Sequence, residues 1–119
     1  MIVGIPRSRL VDENRVGLPP RAINNLVARG RSVLVESKAG QGSGFTDTQY
    51  QQAGATIVHS LDEVYGRADV VVKINAPTPD EYDLIREGQT IMAVMHLAVA
   101  DPKLVEVLVE RRCTAVDFV

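Results

Sequence analysis

Asp69-Val70-Val71-Val72-Lys73-Ile74-Asn75-Ala76-Pro77 is a run of β-branched apolar residues that ends in a lysine, an asparagine and a proline. Three successive valines with almost nothing polar beside them read as a strand buried on both faces. Proline cannot continue such a strand. The reading therefore puts Lys73 and Asn75 where the buried sheet opens into a loop, and in open α/β sheets that edge is where ligands bind.

Outward from this run, apolar strand-like segments alternate with capped helical ones. Met1 to Ile5 is an apolar run stopped by Pro6. Pro19 and Pro20 open a helix that carries Ile23, Leu26 and Val27 on one face, and Gly30 closes it. Ser32 to Val35 is the next strand. Three helix starts show the capping-box spacing: Thr46 with Gln49, Ser60 with Glu63, and Thr78 with Glu81. Thr56 to Val58, Thr90 to Met95 and Cys113 to Val119 supply further strands. Asp101 caps a helix with Pro102 at its first position and Leu104, Val107 and Leu108 facing inward. This βαβα alternation predicts a single α/β domain over residues 1–119, a three-layer, mostly parallel sheet with helices on both faces. A doubly wound domain usually carries a helix after its last strand, so the expected architecture looks short of its last helix, as a fragment would.

The bulk properties narrow the class. The 119 residues suit one domain with one core. A net charge of −2 and 4% aromatic residues argue against a nucleic-acid partner. The lone Cys113 permits no internal disulfide and no metal cluster. No apolar run approaches the roughly 20 residues of a membrane span, and the N-terminus lacks a signal-peptide pattern. The expectation is a soluble cytoplasmic protein.

In a parallel sheet the residues just past the strands gather on one edge. Arg15 follows the first strand, Lys73 and Asn75 follow the valine run, and His96 follows the Thr90 strand. Two cations, an amide and an imidazole on one rim suit a small anionic or carbonyl ligand. The segment from Arg7 to Arg15 otherwise reads as a solvated charged loop, although Val16 and Leu18 would pin Arg15 beside the core. Gly40-Gln41-Gly42-Ser43-Gly44 has the wrong glycine spacing and the wrong place for a dinucleotide fingerprint, and reads as a flexible turn. His59 reads as a surface histidine and Cys113 as a small buried hydrophobe.

Taken together, the segments Ile2-Val3-Gly4-Ile5-Pro6-Arg7, Glu13-Asn14-Arg15-Val16, Val35-Glu36-Ser37-Lys38-Ala39-Gly40, Ala53-Gly54-Ala55 and Lys73-Ile74-Asn75-Ala76-Pro77 resemble the N-terminal domain shared by alanine dehydrogenase and the NAD(P) transhydrogenase alpha subunit. The resemblance covers essentially the whole chain and implies a flavodoxin/Rossmann-like fold. It implies that the chain is one wall of a cleft, that NAD is bound mainly by a separate Rossmann domain absent from this chain, and that the full protein is a homodimer. Alanine dehydrogenases carry a Lys-Val-Lys-Glu-Pro run whose second lysine helps hold pyruvate; here that position is Asn75, followed by Ala76. An amide cannot replace an ammonium as a counter-charge. The Asn-Ala pair resembles the transhydrogenase branch, so the expectation is the soluble NAD(H)-binding alpha subunit of a proton-translocating enzyme that passes hydride from NADH to NADP+, with other transhydrogenase subunits as partners and a membrane met only through them. Met95-His96-Leu97-Ala98 is similar instead to the alanine dehydrogenase segment whose histidine acts in catalysis. With Arg15 as a second retained substrate contact, it makes alanine dehydrogenase the alternative, and a non-catalytic module is a third. Arg15 and His96 are the catalytic candidates, Arg15, Lys73, Asn75 and His96 the cleft residues, and no metal ligands are expected.

Overall fold

A computed structural model of the chain describes residues 1–97 and 100–118. Residue 98, the last of the Met95 segment, and residue 119, the end of the expected last strand, lie outside the described residues. Eleven strands and helices alternate: β1 (Ile2–Ile5), α1 (Pro20–Ala28), β2 (Ser32–Glu36), α2 (Asp47–Gln52), β3 (Thr56–Val58), α3 (Leu61–Arg67), β4 (Val70–Asn75), α4 (Pro79–Tyr82), β5 (Thr90–Val94), α5 (Pro102–Glu110) and β6 (Thr114–Asp117). The six strands form one sheet in the order β3-β2-β1-β4-β5-β6, and every pairing is parallel. This is the doubly wound α/β arrangement, in which the chain starts at the centre and winds outward to each edge in turn.

The valine run shows how the layers arise. Side chains alternate along a strand, so Val71 enters one core and Val72 the other. Val71 joins Tyr65, Tyr82, Ile91, Ala93 and Leu104 beneath α3, α4 and α5. Val72 joins Val3, Ile5, Ile23, Val33 and Val35 beneath α1 and α2. The capping residues act as their spacing predicts: Thr46 and Gln49 satisfy each other across the start of α2, the Ser60 hydroxyl accepts from the Glu63 N–H at 3.1 Å, and Glu81 accepts from the Thr78 N–H at the start of α4. Asp101 accepts from the Lys103 N–H at 3.0 Å at the start of α5. Arg86 and buried Gln89 donate to the carbonyls of Tyr65 and Ala68 where α3 ends, which fixes the turn into β4.

β4 does not end at the last valine. It continues through Lys73 and Asn75, with a register irregularity between Val72 and Asn75 against β5. The expected loop position of Lys73 and Asn75 is therefore corrected: both sit on the bulged carboxyl end of a strand. A bulge re-aims the side chains that follow it, and here it does so at the sheet edge. On the α1 side, Val70 and Met92 of β4 and β5 are only partly covered among the described residues. They line an open apolar groove of about 460 Å³ with Leu18, Leu26, Val72 and Phe118.

The long connection between β1 and α1 passes close against the backbone of β4 at Gly17. A Cβ there would lie 2.6 Å from the Val72 carbonyl oxygen and 3.0 Å from its carbon, and backbone atoms cannot give way. Gly66, inside α3, has nothing within 4 Å of its would-be Cβ. Urea unfolding is expected to show Gly17→Ala destabilised by about 1–3 kcal/mol and Gly66→Ala stabilised by roughly 0.5–1 kcal/mol. Equal stability of the two variants would contradict the close approach of this loop to β4.

Candidate functional site

The carboxyl ends of β1, β2 and β4 meet at a rim whose charges are mostly paired. Glu36 closes β2 and is only 4% exposed. It accepts from the Arg7 backbone N–H at 2.8 Å and from the Arg9 guanidinium fork at 2.5 and 2.6 Å. The loop from Arg7 to Arg15 is thus not the free solvated segment its composition suggests. Further along, Ser43 Oγ donates to the Asn14 carbonyl at 2.6 Å and Tyr50 Oη to the Leu18 carbonyl at 2.9 Å. The glycine-rich segment explains the first of these contacts. A Cβ at Gly42 would fall 2.8 Å from Asn14 Cα, and one at Gly40 would fall 2.6 Å from the Tyr50 ring. Its glycines let a short 3-10 turn over Gln41–Ser43 pack tightly against the loop. Gly40 and Gly42 serve close packing and Gly44 the left-handed end of the turn, φ +83°, where the sequence suggests flexibility.

Deeper in the rim, Glu81 is 1% exposed and collects four donors. Lys73 Nζ donates to its two oxygens at 2.7 and 2.8 Å, Tyr65 Oη donates at 2.9 Å, and the Thr78 N–H and Oγ1 donate at 2.7 and 3.1 Å. Burial alone would raise the Glu81 carboxyl, but the Lys73 charge and these hydrogen bonds outweigh it and hold it below the usual carboxylate range. Burial lowers the Lys73 ammonium, and Glu81 opposes that only in part. Tyr65 is pushed well up, first by burial and then by the adjacent carboxylate.

The four rim candidates divide into three and one. Arg15, Lys73 and Asn75 line one small pocket with Arg9, Val16 and Thr78; its volume is about 10 Å³, room for roughly one water. Arg15 is exposed and its guanidinium donates to Glu13 at 2.9 and 3.0 Å. Asn75 Nδ2 donates to the same carboxylate at 2.6 Å, latching the Glu13–Arg15 loop onto the end of β4. Hydrogen bonds from the Arg15 side chain and backbone, then from Asn75, bring the Glu13 carboxyl from the usual 4.5 to about 2. Beside this latch, Arg7, Asn14, Arg15, Lys38 and Gly42 line an open cleft of about 290 Å³. His96 is exposed two residues beyond β5, on the same sheet edge but outside that pocket. Its backbone takes the left-handed conformation, φ +49°, which costs a non-glycine residue about 1–2 kcal/mol. His59 is exposed as expected, and Cys113 is only half-buried.

Glu13, Glu36 and Glu81 organise the rim, and the sequence reading assigned none of them to it. Glu81 was legible as a helix-capping partner of Thr78, a true but partial account. Glu36 had a signal in its place at the end of the apolar run Val33-Leu34-Val35. No group of His, Cys, Asp and Glu side chains suited to a metal ion occurs among the described residues, and none of their helices is long and apolar enough to cross a membrane.

Comparison with known proteins adds the following. A family model described as "Alanine dehydrogenase/PNT, N-terminal domain" matches residues 4–118. Alanine dehydrogenase of Bacillus subtilis strain 168 is 39% identical over 118 residues, which are 99% of this chain and 31% of that protein. A solved L-alanine dehydrogenase has TM-score 0.93 and 40% identity, over 98% of this chain and 32% of its own. The transhydrogenase from Sinorhizobium meliloti has TM-score 0.88 and 27% identity, over 97% and 34%. The chain thus spans 31% of the length of the Bacillus enzyme.

Two outcomes test the site's electrostatics. Lys73→Met leaves a buried carboxylate without its cation and is expected to cost about 3–5 kcal/mol in urea unfolding, while the double variant Lys73→Met/Glu81→Leu recovers much of that loss. A single variant as stable as the parent would refute the pair. The Glu13 carboxylate is favoured in the folded chain, so its contribution is complete above about 4.5 and fades as pH falls toward about 2. Carbon-detected titration of the Glu13 side chain should therefore give a midpoint near the lower value in the parent and nearer the ordinary one in Asn75→Ala/Arg15→Ala.

Proposed function

The chain belongs to the alanine dehydrogenase/PNT N-terminal domain family, and on that premise we propose that it is one wall of the active-site cleft of an NAD-dependent oxidoreductase of the alanine dehydrogenase type. The observation that carries this reading is the unequal likeness, 40% identity to a solved L-alanine dehydrogenase against 27% to a transhydrogenase. Arg15 and His96 support it. The exposed guanidinium at the rim suits the carboxylate of a 2-oxo acid. An imidazole on the same edge suits proton exchange with the oxygen or nitrogen at the neighbouring carbon.

The described residues do not fit the nicotinamide dinucleotide by themselves. β1 runs into Pro6 and Arg7, where a dinucleotide fold places its phosphate-binding glycines. The glycine turn after β2 packs against Tyr50 and Asn14 and leaves no cradle for phosphate. Hydride chemistry is therefore assigned to a Rossmann domain elsewhere in the full-length protein, and this chain contributes substrate-side groups.

A specific observation favours a second reading, the NAD(H)-binding subunit of a transhydrogenase. Asn75 stands where alanine dehydrogenases resemble one another in a lysine, and its amide donates to Glu13 and offers no positive charge to a ligand. In that reading the rim supports the cleft and binds no 2-oxo acid.

Assays of the full-length protein separate the two. Turnover of pyruvate, ammonium and NADH is expected, with kcat falling about 100-fold or more in His96→Ala. Asn75→Lys restores a cation beside Arg15 and is expected to lower the KM for pyruvate about tenfold, equivalent to about 1.4 kcal/mol. Hydride transfer from NADH to an NADP+ analogue without pyruvate turnover would replace the first reading with the second.

A further inference from the structure

The last strand ends in an acid whose oxygens reach across to the neighbouring strand's loop. Asp117 closes β6, which pairs with β5 in the register Ala93↔Asp117. Asp117 Oδ1 accepts from the Met95 N–H at 2.9 Å, and Oδ2 accepts from the Leu97 N–H at 3.1 Å. These two amides flank a single residue, His96. That residue is the one whose backbone stands in the left-handed region, at φ +49°. A turn with a non-glycine residue in that conformation persists only where its surroundings over-determine it. Both amides lie past the end of β5, and the carboxylate supplies each with an acceptor. The bonds are charge-assisted, which makes them stronger than neutral ones. Met95 is 3% exposed and anchored in the core beneath α5. One flank of the turn is therefore fixed by packing and by Asp117, and the other by Asp117 and the partly buried Leu97.

We propose that Asp117 is a positioning residue for His96: its carboxylate clamps the amides on either side and fixes the place of the imidazole-bearing turn on the cleft edge. The role rests on the proposed 2-oxo acid chemistry of His96, and it deepens that reading by naming what holds the histidine in place. Asp117 is not itself a catalytic residue, because it acts through the backbone of the turn. Phe118 N–H donates to the Ala93 carbonyl at 3.1 Å, so the strand pairing continues past Asp117 and does not depend on its side chain.

The test uses the full-length protein with Asp117→Asn and Asp117→Ala. The amide variant keeps one acceptor oxygen and turns an N–H₂ toward the other backbone donor; alanine removes both acceptors. Hydrogen exchange read by mass spectrometry should quicken in the peptide holding Met95 to Leu97, more in Asp117→Ala than in Asp117→Asn, and stay unchanged in the peptide holding Val70 to Asn75. With pyruvate, ammonium and NADH, kcat should fall about tenfold in Asp117→Asn and further in Asp117→Ala, with the KM for NADH unchanged. Unchanged exchange around His96 overturns the clamp. Quickened exchange with kcat at the parent value overturns the positioning role. If the parent shows no pyruvate turnover, the proposed reaction has failed, and the exchange measurement alone then decides the clamp.

Discussion

A carboxylate buried to 1% exposure needs donors on every side, and Glu81 draws them from three different elements. Tyr65 comes from α3, Lys73 from the bulged end of β4, and the Thr78 N–H from the turn into α4. Taking such a charge out of water costs several kcal/mol unless it is fully paired. These bonds therefore constrain one another: shifting any element strands a charge in the core. The arrangement also sets the direction of Lys73. Its ammonium is committed inward, so the cations left facing the cleft are those of Arg7, Arg15 and Lys38. Arg9 lies in the same electrostatic neighbourhood, held by Glu36 and drawn further by Glu81. The sheet edge is in effect built on two buried acids, with the ligand-facing charges arranged above them.

Much of the fold was legible because it follows from local rules. Val71 and Val72 had to face opposite layers once the strand was recognised as buried on both sides. The capping residues Thr46, Ser60, Thr78 and Asp101 mark the starts of four helices within a residue of where they lie. What local rules could not show was where β4 ends. The bulge between Val72 and Asn75 is set by β5 on one side and by Glu81 and Glu13 on the other, contacts far from the strand in sequence or outside its periodicity. The rim was legible as a set of residue types, but not as a set of pairs. Nothing in the spacing of Glu13 and Asn75 announces a hydrogen bond across 62 positions. Nor does the acidic end of β2 reveal that it will take the Arg9 fork and the Arg7 amide together.

The geometry of Asn75 bears on how its identity should be weighed. Read as a sequence letter, it stands for a missing ammonium and points to the transhydrogenase branch. In the fold it is a donor already engaged with Glu13, at the joint between the Arg15 loop and β4. A residue in that position is selected for two things at once: what it offers to a ligand, and how it holds the loop that carries Arg15. A lysine there could also pair with Glu13, so the latch does not require an amide. The choice at position 75 thus changes the charge at the rim while leaving the loop tethered, and the overall likeness to alanine dehydrogenases keeps its weight.

The pocket that unites Arg15, Lys73 and Asn75 holds about one water, and the cleft beside it opens to solvent. Neither encloses a ligand the size of a small 2-oxo acid, and His96 reaches the same edge from outside the pocket. Charged groups on an open rim act weakly, because water screens them, whereas the same groups under a cover gain strength as the dielectric falls. The proposed cleft role accordingly needs a second surface over this rim to give its charges that strength. On the open rim the Glu13 latch holds the Arg15 loop and the Asp117 bonds hold the His96 turn, through backbone and side chain alike.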